Sequence, residues 1–240
     1  MIRQIPNILT LVNLALGASS IILTLSGYPL LGGWFIIFAA FFDLFDGLAA
    51  RLLDAKSEIG NILDSLADVV SFGMAPAVVT YHLLEQTNFV MDIRGEGLPL
   101  LPFISLLIVI TAAWRLARFS GSQSGTDHFK GLPAPAGGLF IASLPLIKNR
   151  YSDLEALFNM LSNHWVLIAV VFVISVLMVS KIPMLTMKFK NLRWTENSSR
   201  FLLIGLSLVL VILIQCAALP LIVFSYILLS LIETKNSEIN

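Results

Sequence analysis

The sequence predicts an all-α fold, a polytopic membrane helix bundle of about eight spans, on three observations. Hydrophobic residues make up 57% of the 240 positions, charged residues only 12%, and mean hydropathy is +0.88. Apolar runs of about 20 residues, enough to cross a bilayer, recur along the chain. Once those runs are taken as spans, Lys and Arg fall mostly on one side. A soluble globular domain of this length is excluded. The chain reads as one integral membrane domain over 1–240, with no low-complexity tract and no nucleotide-binding glycine loop.

The spans are expected near 6–27, 29–54, 57–85, 98–119, 131–148, 163–181, 200–216 and 218–233. The first follows Arg3 and contains Ala18-Ser19-Ser20, features shared with a cleaved signal peptide. It is read as a retained helix, because Asn7, Thr10 and Asn13 recur every third residue and mark a face with a purpose. The second and third carry acidic residues where they meet. The fourth and fifth flank a loop rich in Ser and Gly, and the sixth ends before Pro183. The last two run together through Ala217-Ala218-Leu219-Pro220, and are separated because about 33 apolar residues exceed one span. Cys216 is the only cysteine, which excludes an intrachain disulfide and any cysteine-based zinc cluster; it reads as a small packing residue.

With a cytoplasmic N-terminus and eight spans, the inner side holds Arg3, Arg51, Lys56, Arg115, Arg118, Lys130, Lys181, Lys188, Lys190, Arg193, Arg200 and Lys235. The outer side holds Arg94, Lys148 and Arg150. This positive-inside bias puts both termini in the cytoplasm, in a cell inner membrane, with 86–97 and 149–162 as the sizeable outer connections. The zero formal net charge gives no ground for a nucleic-acid partner.

Carboxylates at bilayer depth cost several kcal/mol by most estimates and need a cation or a reaction to explain them. On the second helix Asp43, Asp46, Gly47 and Ala50 share an arc of roughly 100°. On the third, Gly60, Asp64, Asp68 and Ser71 are spaced four, four and three apart, again on one face. Two facing helices thus offer four carboxylates to one cleft, and an all-oxygen set selects hard divalent cations such as Mg²⁺, Mn²⁺ or Ca²⁺. The bland alternative, acids paired with Arg51 and Lys56 at a wet helix end, suits Asp54 and Glu58 better than these four.

The pattern Asp43-x-x-Asp46-Gly47-x-x-Ala50-Arg51, eight residues, then Gly60-x-x-x-Asp64-x-x-x-Asp68 resembles at every defined position that of the CDP-alcohol phosphotransferase family of membrane enzymes. The segments DSLADVVSFGMAPA (64–77), RLARF (115–119), FKGLPAPA (129–136) and VSKIP (179–183) look like its phosphatidylserine synthase branch. The resemblance covers about 5–190, the implied catalytic core, and leaves an extra helix pair at about 200–233. It implies a homodimer with a six-helix core per protomer, and transfer of the phosphatidyl group of CDP-diacylglycerol to the hydroxyl of L-serine, releasing CMP. By resemblance, Asp43, Asp46, Asp64 and Asp68 are ligands to Mg²⁺ or Mn²⁺, two ions in all, and Asp68 is also the base for the serine hydroxyl. Gly47 and Ala50 would let the cytidine approach, Arg51 would contact phosphate, and Gly60 and Asn7 complete the CDP-diacylglycerol site.

The acceptor site is read from charge. Serine brings a carboxylate, so its pocket needs a cation; Arg115 and Arg118, three apart on one helix, and Lys130 are the candidates, with Ser71 beside them. Their bland reading is headgroup contact at the inner surface. The stretch Lys181 to Arg193 reads as an orienting, lipid-contacting loop, and His82, His128 and His164 lack ligand spacing. Asn7, Thr10 and Asn13 suit either substrate contact or interhelical hydrogen bonding. Three rivals stay open: a family member with glycerol phosphate, inositol phosphate or choline as acceptor, a membrane prenyltransferase, and an ion-coupled transporter.

Overall fold

The computed structural model describes residues 4–55, 57–93, 99–120, 129–185 and 194–239. The helices are α1 (Ile5–Leu25), α2 (Pro29–Leu52), α3 (Glu58–Asp68), α4 (Ala75–Glu85), α5 (Asn88–Ile93), α6 (Leu106–Ser120), α7 (Ala134–Arg150), α8 (Glu155–Leu161), α9 (His164–Val179), α10 (Trp194–Ile214) and α11 (Ala218–Ile239). Two-residue strands β1 (Phe129–Lys130) and β2 (Pro183–Met184) pair antiparallel. Arg3, Lys56, Arg94, Lys188, Lys190 and Arg193, which carry part of the expected orientation, lie outside the described residues, as does His128.

The all-α expectation holds, with the long helices in the expected order. Four helical stretches are long and apolar enough to cross a membrane: Ile5–Leu25, Glu58–Glu85, Leu101–Arg118 and Ser198–Glu233. The pair α8 and α9, bent by 62°, adds a fifth if it is one span. Eight spans are therefore not confirmed. The difference has structural reasons: α7 has 17 residues with Pro145 inside, α9 has 16, and the 36-residue stretch 198–233 counts once. That stretch is broken by a 3₁₀ turn at Gln215–Ala217, where Gln215 takes φ 50°, and its two arms pack on each other. The connections expected as loops contain α5 and α8.

α1 and α2 form a hairpin around Gly27, at φ 88°. The buried stripe of α1 is Pro6, Thr10, Asn13, Gly17, Ser20 and Thr24, small and polar residues at helical spacing. Lipid is as apolar as leucine, so close backbone approach and interhelical hydrogen bonds hold such a pair. Ser20 Oγ accordingly donates to the Gly32 carbonyl at 2.8 Å. At Gly17 a Cβ would come within 2.7 Å of Ser71 Cα, so only glycine lets α1 lie this close to the helix that follows the acids.

The expected helix 57–85 is one rod with a π turn at Val69–Met74. Pro76 explains the turn: it has no N–H to give to the Phe72 carbonyl, and its ring crowds that carbonyl, so the chain widens and Ala75 N–H bonds to Val70 O instead. Phe72, fully buried, belongs to the same core as Ile36, Ile108, Ile141 and Met178. The outer faces carry large exposed apolar side chains, among them Ile22, Phe41 and Ile212 at 65%, 54% and 78%, as a lipid-facing surface requires.

Candidate functional site

Three helices meet at the acids, and local sequence sets how. α2 ends at Leu52 with Arg51 in its last turn, where a cation suits the helix dipole. Asp54 turns the chain at φ 46°, a conformation aspartate tolerates. Ser57 then caps α3, its Oγ accepting from Gly60 N–H at 3.0 Å, with Glu58 in the first turn. The turn returns the chain along α3, which packs on α1 and brings Asp64 and Asp68 within reach of Asp43.

Asp43, Asp64 and Asp68 each bring a carboxylate oxygen within 4.8 Å of the others. Asp43 and Asp68 are in hydrogen-bonding contact, and Asp68 Oδ1 is buried with no hydrogen-bond partner among the described residues. Carboxylates this close repel unless a proton or a cation lies between them. An oxygen-only donor set with an orphaned buried oxygen fits a hard divalent cation.

Asp46, the fourth expected acid, is buried with its Oδ2 accepting from the Thr10 hydroxyl at 2.7 Å, the Pro6 carbonyl being Thr10's other acceptor at 3.0 Å. Thr10 was visible in sequence only as one of three polar residues on a helix face; its partner lies 36 positions away. Without the hydroxyl, the buried Asp46 carboxylate loses this charge-assisted bond and keeps the one from the Gly47 backbone. Thr10→Val is therefore expected to destabilise the protein by about 1.5–3 kcal/mol, with Thr10→Ser close to wild type. Denaturation midpoints in detergent check this.

The expected nucleotide side is partly assembled. A Cβ on Gly60 would lie 3.1 Å from Asn7 Oδ1, so the two stand together where α1 crosses the start of α3. Gly47 is exposed with nothing within 4 Å of a built Cβ, Ala50 is half-buried, and Arg51 is exposed. One face of α2 is thus open beside the acids.

The expected acceptor residues separate. Arg115 is buried, 8% exposed, close enough to Asp68 and Tyr226 to interact electrostatically. Arg118, one turn on, and Lys130, on β1, are exposed. Ser71 is fully buried, its hydroxyl donating to the Asn13 carbonyl at 3.0 Å, and so serves the contact with α1. Asn13 is also fully buried, and neither side-chain amide atom has a hydrogen-bond partner among the described residues. His82 meets Gln86 at 2.8 Å and His164 stacks on Phe89 at 4.2 Å, both away from the acids.

A family model described as CDP-alcohol phosphatidyltransferase matches residues 3–177. The chain belongs to that family. Among its curated relatives, the CDP-diacylglycerol–serine O-phosphatidyltransferase of Helicobacter pylori strain J99 is 34% identical over 208 residues, 86% of this chain and 81% of the relative. The protein of the same name from Mycobacterium tuberculosis strain H37Rv is 32% identical over 190 residues, 76% of this chain and 61% of the relative. The archaetidylserine synthase of Methanothermobacter thermautotrophicus is 32% identical over 181 residues, covering 74% and 68%. The family match includes every acid of the cluster, Arg115 and Lys130. It ends inside α9, so α10 and α11 lie beyond it.

Proposed function

We propose that this phospholipid-biosynthetic transferase moves the phosphatidyl group of CDP-diacylglycerol to the hydroxyl of L-serine, giving phosphatidylserine and CMP. The observation that carries the reading is the three-carboxylate cluster with Arg115 beside Asp68, in a chain of this family. The names of the relatives agree on serine: two are serine O-phosphatidyltransferases and one is an archaetidylserine synthase, so the acceptor is shared where the lipid differs.

In this reading Asp43, Asp64 and Asp68 hold a divalent metal, Mg²⁺ or Mn²⁺, and Asp46, oriented by Thr10, joins them for a second ion. When bound, the metal neutralises the diphosphate and stabilises the departing CMP. The open face of α2 at Gly47 and Ala50 receives the cytidine, with Arg51 against phosphate and Asn7 and Gly60 closing the far side. Asp68 takes the serine hydroxyl proton, using the oxygen that has no hydrogen-bond partner among the described residues. As that proton leaves, the serine oxygen bonds to phosphorus and the bond from phosphorus to the CMP oxygen breaks. The orientation that fits is an active site open to the cytoplasm and inner leaflet of a cell inner membrane, in a homodimer.

Arg115 is the acceptor's carboxylate contact in this scheme, backed by Lys130 and Arg118 at the entrance. Replacing Arg115 by Met is expected to raise the KM for serine about ten- to a hundredfold while the KM for CDP-diacylglycerol moves little, because only serine loses a charge-assisted contact. Steady-state kinetics with each substrate varied separately tests it. A serine KM unchanged in the variant contradicts the role of Arg115.

A further inference from the structure

The acceptor side of this site rests on a helix that the family match does not reach. Lys130 lies on β1 opposite Pro183 of β2, and Phe129 lies opposite Met184. The turn that follows is pressed onto the end of α9: Gly131 N–H donates to Ile182 O at 2.7 Å and Leu132 N–H to Leu177 O at 2.9 Å. Gly131 adopts φ 80°, and a Cβ there would stand 2.9 Å from Ser180 O, so the position tolerates no side chain. Lys130 is therefore as well placed as β2 is.

β2 is held from α11. The Tyr226 hydroxyl donates to the Leu185 carbonyl at 2.9 Å, and Leu185 N–H donates to Ser230 Oγ at 3.0 Å. Ser230 Oγ in turn donates to Tyr226 O at 2.7 Å, which turns its lone pair toward Leu185. Two side chains one helical turn apart thus take both backbone groups of a single residue. Tyr226 and Ser230 are 8% and 1% exposed, so neither bond competes with water. Tyr226 is also close enough to Arg115 to interact electrostatically, as Asp68 is.

We infer that α11 is part of the acceptor site: Tyr226 and Ser230 clamp Leu185 and so fix the β1–β2 pair that carries Lys130, while Tyr226 also acts on Arg115, setting affinity for an alcohol that carries a carboxylate. The inference rests on the proposed function, in which Arg115 and Lys130 face the acceptor. Tyr226 and Ser230 are positioning residues, since they act through Leu185 and touch no substrate.

The test is kinetic and uses the full-length protein in detergent or nanodiscs, with Tyr226→Phe, Ser230→Ala and Ser230→Thr. The first removes one hydroxyl without changing packing volume, and the last restores the hydroxyl lost in the second. Tyr226→Phe and Ser230→Ala are each expected to raise the serine KM about three- to tenfold, the worth of a buried hydrogen bond. The KM for CDP-diacylglycerol should stay unchanged and Ser230→Thr should return toward wild type. If both KM values rise together, or the serine KM does not move in either variant, the clamp serves stability alone and the inference is overturned. An unmodified protein that releases no CMP with serine overturns the serine reading and this inference with it, whereas normal serine use untouched by the substitutions overturns only the inference.

Discussion

Asp68→Asn is expected to bind CDP-diacylglycerol with near wild-type affinity and to release CMP about 10²–10⁴-fold more slowly. The amide keeps the size and one acceptor oxygen of the carboxylate but cannot take the serine proton. Asp68 is the acid whose Oδ1 is buried and has no hydrogen-bond partner among the described residues, which is why the loss should fall on turnover rather than on binding. Single-turnover CMP release measured beside equilibrium nucleotide binding separates the two. Near wild-type turnover with bound metal intact would remove Asp68 as the base.

The other large effect is on metal. Asp43→Ala opens a gap in a set whose oxygens lie within 4.8 Å of one another, and two carboxylates are a poor site for a hard cation that needs six or more oxygens. Manganese titration of the variant should show affinity reduced by at least about tenfold, comparable to losses for outer partners of metal ligands in other sites. Excess chelator should abolish CMP release by the unmodified protein and Mg²⁺ or Mn²⁺ should restore it, because bare carboxylates repel a diphosphate. Full activity in chelator would contradict the metal reading.

Much of this site is legible in the sequence because a helix period is rigid: a spacing of four positions from Gly60 to Asp64 and from Asp64 to Asp68 puts them on one face whatever surrounds them. What the period cannot show is which partner a side chain chooses. Asp46 shares the face of Asp43, yet its carboxylate turns to Thr10 on another helix. Ser71 continues the face of Asp68, but the π turn begins at Val69, and its hydroxyl goes to the Asn13 carbonyl. Pro76 was the available signal for that turn. Tyr226 and Ser230 carry a weaker one, two polar groups at helical spacing in an apolar run whose partner, Leu185, lies 45 positions from Ser230. Span count was the least legible feature, since the largely apolar 36-residue stretch 198–233 is divided by Gln215–Ala217, a break that depends on backbone conformation at Gln215.

The most direct measurement is CMP release by the purified protein supplied with CDP-diacylglycerol and Mg²⁺ or Mn²⁺, with serine, ethanolamine, glycerol 3-phosphate, inositol phosphate or choline as sole acceptor. The account predicts release with serine, phosphatidylserine as the lipid product, and little release with ethanolamine, which offers the hydroxyl and ammonium but leaves Arg115 without its anion. Equal use of ethanolamine, or release with one of the other alcohols and none with serine, would contradict it.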